Sequence, residues 1–201
     1  MNGTVKNVTI ENGTVTLANN GAYVGVLVGR LKEGGLIENC HVKNSVATTT
    51  YWQVGGIVGQ VEKAGNIKDC SIEKSTITGR SAAGAIVGLI MDADEYTIED
   101  CEVKECDIVQ GRPYNDADFD SMFGLAVGAV NNSGITLNLD DITVENNTIK
   151  GEASDLLVGY IEGGAKVYID GELVVNLTPI EGAERHDRSG RPLYCHLPED
   201  Q

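Results

Sequence analysis

The chain has 201 residues, 41% of them hydrophobic, 5% aromatic and 22% charged, with 25 glycines against 4 prolines. Fifteen Lys and Arg against thirty Asp and Glu leave a net charge of −15, which excludes the basic face that a nucleic-acid binder needs. The longest apolar run, Ala82–Met91, is too short for a membrane-spanning helix, and the composition is neither collagen-like nor that of a disordered chain.

Read from the N-terminus, one signature keeps returning. It starts as Val5-Lys6-Asn7-Val8-Thr9-Ile10 and recurs as Ile37-Glu38-Asn39-Cys40-His41-Val42 and Ile67-Lys68-Asp69-Cys70-Ser71-Ile72. Two later copies begin at Ile98 and Leu139. Between the copies runs a second signature, whose columns hold Gly29, Gly59, Gly88, Gly128 and Gly159, each preceded by Val. Four residues upstream of these lie Gly25, Gly55, Gly84, Gly124 and Asp155. Each repeat of about 30 residues reads as three short strands with alternating apolar residues. In the second repeat these span roughly 36–43, 45–49 and 54–61. Such a triplet cannot bury its own inner face. Stacking the next copy about 4.8 Å above it does so. The expected fold is therefore an all-β, right-handed parallel β-helix of about five coils over 1–178, the hand following the general rule for parallel crossovers.

The corner residues follow from spacing. Inward residues of the first signature are three apart, then two, so the chain must bend near Asn7, Asn39, Asp69, Asp100 and Asp141. Asn and Asp tolerate left-handed backbone. The glycine columns require either positive φ or a backbone passing too close for Cβ. Cys40, Cys70 and Cys101 share a column with Val8 and Ile142, which reads as a small buried hydrophobe. An inter-coil disulfide and a metal site are the alternatives weighed against that reading. Cys106 takes the slot of Ser45 and Ser75.

Gly56-Ile57-Val58-Gly59 followed by Gly65-Asn66-Ile67-Lys68-Asp69-Cys70 resembles the GLUG repeat of bacterial surface proteins, which pairs a Gly-Leu-apolar-Gly element with an Ile-x-Asn-Cys element. The resemblance covers roughly 3–165. The first Gly of the element is replaced by Val26, Ala85, Leu125 and Leu156 in the other copies. The resemblance implies a secreted or cell-surface, adhesin-like bacterial protein, often a large chain. Some such repeats accompany immunoglobulin A-cleaving metallopeptidases, but no His-Glu-x-x-His occurs here.

The fourth repeat is longer than its neighbours, and the excess lies in 110–122. Loops that interrupt a solenoid are where binding residues gather. This one offers Arg112, Tyr114, Asp116, Asp118 and Asp120 as candidate binding residues, joined by Trp52 at the bend of the second repeat. A solvated acidic loop, a calcium site and a sugar site are the competing readings. No EF-hand is present, because Ser121 and Val127 stand where that loop needs Gly and Glu. The Thr48–Thr50 run invites comparison with an ice lattice, set aside because no Thr-x-Thr row is expected to recur.

No catalytic spacing, metal motif or phosphate-binding loop stands out, so no resident cofactor is expected. The expected function is non-enzymatic: a cell-surface or secreted binding or spacer module facing host glycan or protein. The alternative is a β-helix polysaccharide lyase or hydrolase using the acidic loop 110–122, on fold analogy alone. Met1-Asn2-Gly3 leads straight into a repeat, so neither a signal peptide nor a cap over the first coil is expected, and the chain is expected to be part of a longer one. Residues 166–177 read as a strand pair closing the column, and 179–201 as a non-repeat tail.

Overall fold

A computed structural model describes residues 3–18, 23–50, 52–63, 65–111 and 122–174. No helix occurs among the described residues, and parallel strands stack into a β-solenoid of about five turns. The first coil holds β1 (Thr4–Lys6), β2 (Thr9–Glu11), β3 (Thr14–Leu17), β4 (Tyr23–Gly25) and β5 (Val28–Leu31). The second holds β6 (Leu36–Glu38), β7 (His41–Lys43), β8 (Val46–Thr49), β9 (Gln53–Gly55) and β10 (Val58–Val61). The third holds β11 (Asn66–Lys68), β12 (Ser71–Glu73), β13 (Thr76–Gly79), β14 (Ala82–Gly84) and β15 (Val87–Ile90). The fourth holds β16 (Glu95–Lys104), a single ten-residue strand in place of the usual two, then β17 (Asp107–Gln110), β18 (Phe123–Gly124) and β19 (Val127–Val130). The fifth holds β20 (Thr136–Glu145), β21 (Thr148–Ile149), β22 (Glu152–Ala153) and β23 (Val158–Ile161). A sixth turn begins with β24 (Lys166–Ile169) and β25 (Glu172–Leu173).

Equivalent strands form four sheets among the described residues. Sheet A runs through β1, β2 and their successors to β24. Sheet B runs from β3 to β22, sheet C from β4 to β18, and sheet D from β5 to β23. Register is strict: Ile37 pairs Val5 on one side and Ile67 on the other. Two of the three strands expected per coil are each divided in the second coil, at 39–40 and 56–57. Asn39 causes the first break, with φ 52. The second is a reversal from sheet C into sheet D.

At the far end β25 turns back antiparallel on β24, and β22 turns back on β21. The expected closing pair is thus described as far as Val174. Residues 175–177 and the tail 179–201 lie outside the described residues.

The core is a set of stacked columns. Ile37, Ile67, Ile98 and Leu139 form one, and Val42, Ile72 and Val103 another, all buried. Each buried Ile contributes about 1.5–3 kcal/mol of transfer free energy.

Candidate functional site: the corner between sheets B and C

The chain passes from sheet B to sheet C at the same corner in each of the first four coils. In the first and second coils this corner is 18–22 and 50–52, in the third 80–81, in the fourth 111–122. Interlocking bonds stack the levels. Thr50 Oγ1 donates to the Ala18 carbonyl at 3.0 Å. Ser81 Oγ donates to the Trp52 carbonyl at 3.0 Å. Gly111 N–H donates to the Gly79 carbonyl at 2.7 Å, and Ala83 N–H to the Met122 carbonyl at 2.9 Å. The long segment of the fourth coil therefore leaves and re-enters the column at the corner that carries half-buried Trp52 and Arg80. Beside its return, the Lys150 ammonium lies 4.7 Å from the centre of the Phe123 ring. Arg112, Tyr114, Asp116, Asp118 and Asp120 lie outside the described residues, as does Tyr51.

The repeat residues occupy the interior. Cys40, Cys70, Cys101 and Cys106 are buried free thiols. Each Sγ donates to a carbonyl two residues upstream, at 3.3 Å for Glu38, 3.0 Å for Lys68, 3.1 Å for Glu99 and 3.3 Å for Lys104. Hydrogen bonding to Cys70, then burial, pushes the Cys101 thiol far up. Burial pushes Cys106 up to about 11. The same Cys101 hydrogen bond lowers the Cys70 thiol, but Cys70, like the other three, is buried, and reactive cysteines sit in electropositive, open surroundings, so all four are read as packing groups. The neighbouring column is a polar ladder: Gly13 N–H donates to Ser45 Oγ, Ser45 N–H to Ser75 Oγ and Cys106 N–H to Asn147 Oδ1, at 3.0, 3.0 and 2.8 Å.

None of Gly29, Gly59, Gly88, Gly128 and Gly159 has positive φ. Of the two explanations open in the sequence, close approach is the one found. A Cβ on Gly59 would stand 2.6 Å from the Gly29 carbonyl oxygen and 2.7 Å from the Val24 nitrogen. Sheets C and D therefore pack backbone to backbone. Beside them lies a second apolar cluster absent from the sequence reading: Ala82, Leu89, Ala129 and Tyr160, with Met122 against it. At the same register positions of the first coil, Arg30 lies 4.8 Å from the centre of the Tyr23 ring.

Two further groupings were not legible as sites. His41 Nδ1 lies 2.8 Å from Ser71 Oγ and His41 Nε2 3.1 Å from Asn39 Oδ1. That resembles a nucleophile with its base and orienting group. The nearby backbone donors are engaged, however: Ser71 N–H with Cys40 O, and Glu102 N–H with Cys70 O. These two amides are therefore not available to hold an oxyanion. Threonines do align on sheet B, contrary to the expectation that no such row recurs: Thr16, Thr48 and Thr78 share one column, and Thr14 and Thr76 flank Val46 in the next. The shared coil register creates those rows. Among the described residues no three His, Cys, Asp or Glu side chains cluster as a metal site, and no helix is long and apolar enough to cross a membrane.

Stacked in-register strands around glycine-closed corners define a β-solenoid repeat protein. Residues 50–78 match the family model described as "The GLUG motif". That span runs from the B–C corner of the second coil through β9, β10, β11 and β12 to β13, so one motif is close to one turn of the solenoid. The chain carries the GLUG motif. Neither curated proteins nor solved structures returned a match to the chain.

Proposed function

We propose that this protein is a non-enzymatic binding and spacer module, displayed on a bacterial cell surface or secreted, which presents its B–C corner to a host glycan or surface protein. The observation that carries this reading is the position of the fourth-coil insertion. Its ends, Gly111 and Met122, stand in the same corner column as Trp52 and Arg80. An aromatic ring, a guanidinium and the acidic segment that holds Arg112, Tyr114, Asp116, Asp118 and Asp120 are thereby attached to one edge of a rigid scaffold. Aromatic faces stack on sugars and carboxylates bond their hydroxyls, and loops on rigid scaffolds are the usual carriers of binding.

Glycan arrays and binding to host surface proteins test this. The full chain should bind, and Trp52→Ala and Asp118→Ala should each weaken binding at least several-fold while leaving the circular dichroism spectrum unchanged. Equal binding by both variants overturns the assignment to this corner. Release of unsaturated, ultraviolet-absorbing ends from a uronate polymer identifies a lyase instead, and Asp116, Asp118 and Asp120 would then be its candidate acids and bases.

A further inference from the structure

The outer face of sheet A carries two charge columns in opposite phase. One reads Lys6, Glu38, Lys68, Glu99, Asp140, and the other Glu11, Lys43, Glu73, Lys104, Glu145. From the first coil to the fourth, sign alternates at every step in both columns. The alternation is used in contacts. Lys6 meets Glu38 at 2.5 Å, Lys68 meets Glu99 at 3.1 Å, Lys43 meets Glu73 at 3.6 Å and Lys104 meets Glu145 at 2.7 Å. In a parallel ladder of near-identical strands, like charges would otherwise stack directly over one another, which is destabilising. The third coil shows the rule complete. Its Lys68 and Glu73 lie between Glu38 and Lys43 on one side and Glu99 and Lys104 on the other.

The first coil has the same phase as the third, Lys6 and Glu11, but only one neighbour. Strands β1, β2, β3, β4 and β5 all end their sheets. Among the described residues nothing pairs with their outer edges. The inward side chains there, Val5, Val8, Ile10, Val15 and Leu17, are only half-buried, whereas Ile37, Cys40, Val42, Ala47 and Thr49 one level up are buried. Unpaired, in-register edges over partly open apolar side chains are a template for strand addition.

We propose that this edge docks one more solenoid coil of the same repeat, in parallel register, with a carboxylate opposite Lys6 and an ammonium opposite Glu11. Charge selects that occupant over a second copy stacked head to tail. The far end of the column offers Asp140, which would suit Lys6, but also Glu145, which would face Glu11 across the join, and β24 already covers the first part of β20 there. The inference is independent of the B–C corner.

The test adds a copy of residues 33–62 ahead of the full chain, which places the copied Glu38 and Lys43 over Lys6 and Glu11 at the natural coil spacing. A second version carries Glu38→Lys and Lys43→Glu in the added copy alone. Backbone hydrogen exchange is read in β1–β5. The first version should slow exchange there clearly, and the charge-swapped version should protect several-fold less, up to about tenfold. Equal protection by both versions, or none by either, overturns the proposal. So does protection of β1–β5 in the unextended chain equal to that of β11–β15. Sedimentation and truncation after Val174 then show whether a second copy or the chain's own C-terminal segment covers the edge.

Discussion

Sheet A and the paired sheets C and D solve the same problem, a turn repeated at every level, by opposite means. In sheet A the bends at Asn7, Asn39, Asp69, Asp100 and Asp141 have φ between 52 and 58, so the backbone itself is left-handed. A side chain is permitted there at a conformational cost. Where sheet C reverses into sheet D, φ is ordinary and the restriction is space: backbone of the same coil or of its neighbour occupies the volume of a Cβ. A side chain is forbidden there by contact. The first kind of corner lies in the backbone of each coil alone, whereas the second is closed from both sides: a Cβ on Gly55 would strike the Val58 carbonyl of its own coil, and one on Gly59 the backbone of the coil before it. Coil five agrees. It has no strand in sheet C, and the glycine column there holds Asp155.

The largest expected effect breaks the contact corner. Gly59→Ala should cost about 3 kcal/mol, while Gly29→Ala, whose Cβ meets only the Tyr23 carbonyl region at 3.0 Å, should cost much less. Urea denaturation of the two variants decides, and equal losses would remove the close-approach account.

Next comes the corner from sheet D back to sheet A, which uses a side chain as a tether. The Tyr96 hydroxyl donates to the Asp92 carbonyl at 2.7 Å and accepts from Lys63 N–H at 2.9 Å. Tyr96→Phe should cost about 1–3 kcal/mol at neutral pH by orphaning that amide. Burial raises the phenol from its ordinary 10.0 to about 12. The folded state therefore keeps a proton that the unfolded chain releases above pH 10. Its contribution is full below pH 10 and falls as pH rises towards 12. Tyr96→Phe should flatten that alkaline loss of stability, measured as melting temperature against pH.

The charge columns come third. Lys68 sits between Glu38 and Glu99, and Glu99 and Asp100 lie within 3.1 and 3.6 Å of its ammonium. Lys68→Glu should lower the melting temperature slightly by stacking like charges, and the loss should shrink in high salt because these groups are exposed. A salt-independent loss would point to packing instead.

The smallest effect has the opposite sign. Glu105 is held at φ 51. Removing its Cβ relieves left-handed strain that exceeds the extra chain entropy of glycine, so Glu105→Gly should stabilise by roughly 0.5 kcal/mol. Glycine would thus help at one kind of corner where alanine harms the other. A lower melting temperature for this variant would break the contrast.

Much of this was legible in the sequence, but unevenly. The column of Asn and Asp bends could be read because those residue types announce their own backbone. The second left-handed column, Asn12, Asn44, Lys74, Glu105 and Asn146, was masked as a column because Lys74 and Glu105 interrupt its three Asn, and Lys and Glu carry no such preference: the coil imposes the geometry on them. The Cys and Ser columns were readable from substitutions within the chain itself. The cluster of Ala82, Leu89, Ala129 and Tyr160 was not, because its members belong to two sheets that meet only after sheet C folds against sheet D. Trp52 and the fourth-coil insertion were each visible as irregularities. Their shared corner followed only once Thr50, Ser81 and Gly111 were seen each bonded to the coil before it.

The sequence by itself determined the period, the inward-facing residues and where each coil must bend, because those depend on residue type and spacing along one strand. Tertiary structure decided which glycines have no room for a side chain, which lysine meets which carboxylate, and which irregular segments share a corner. Those relations connect residues about thirty positions apart, and they arise only when one coil rests on another.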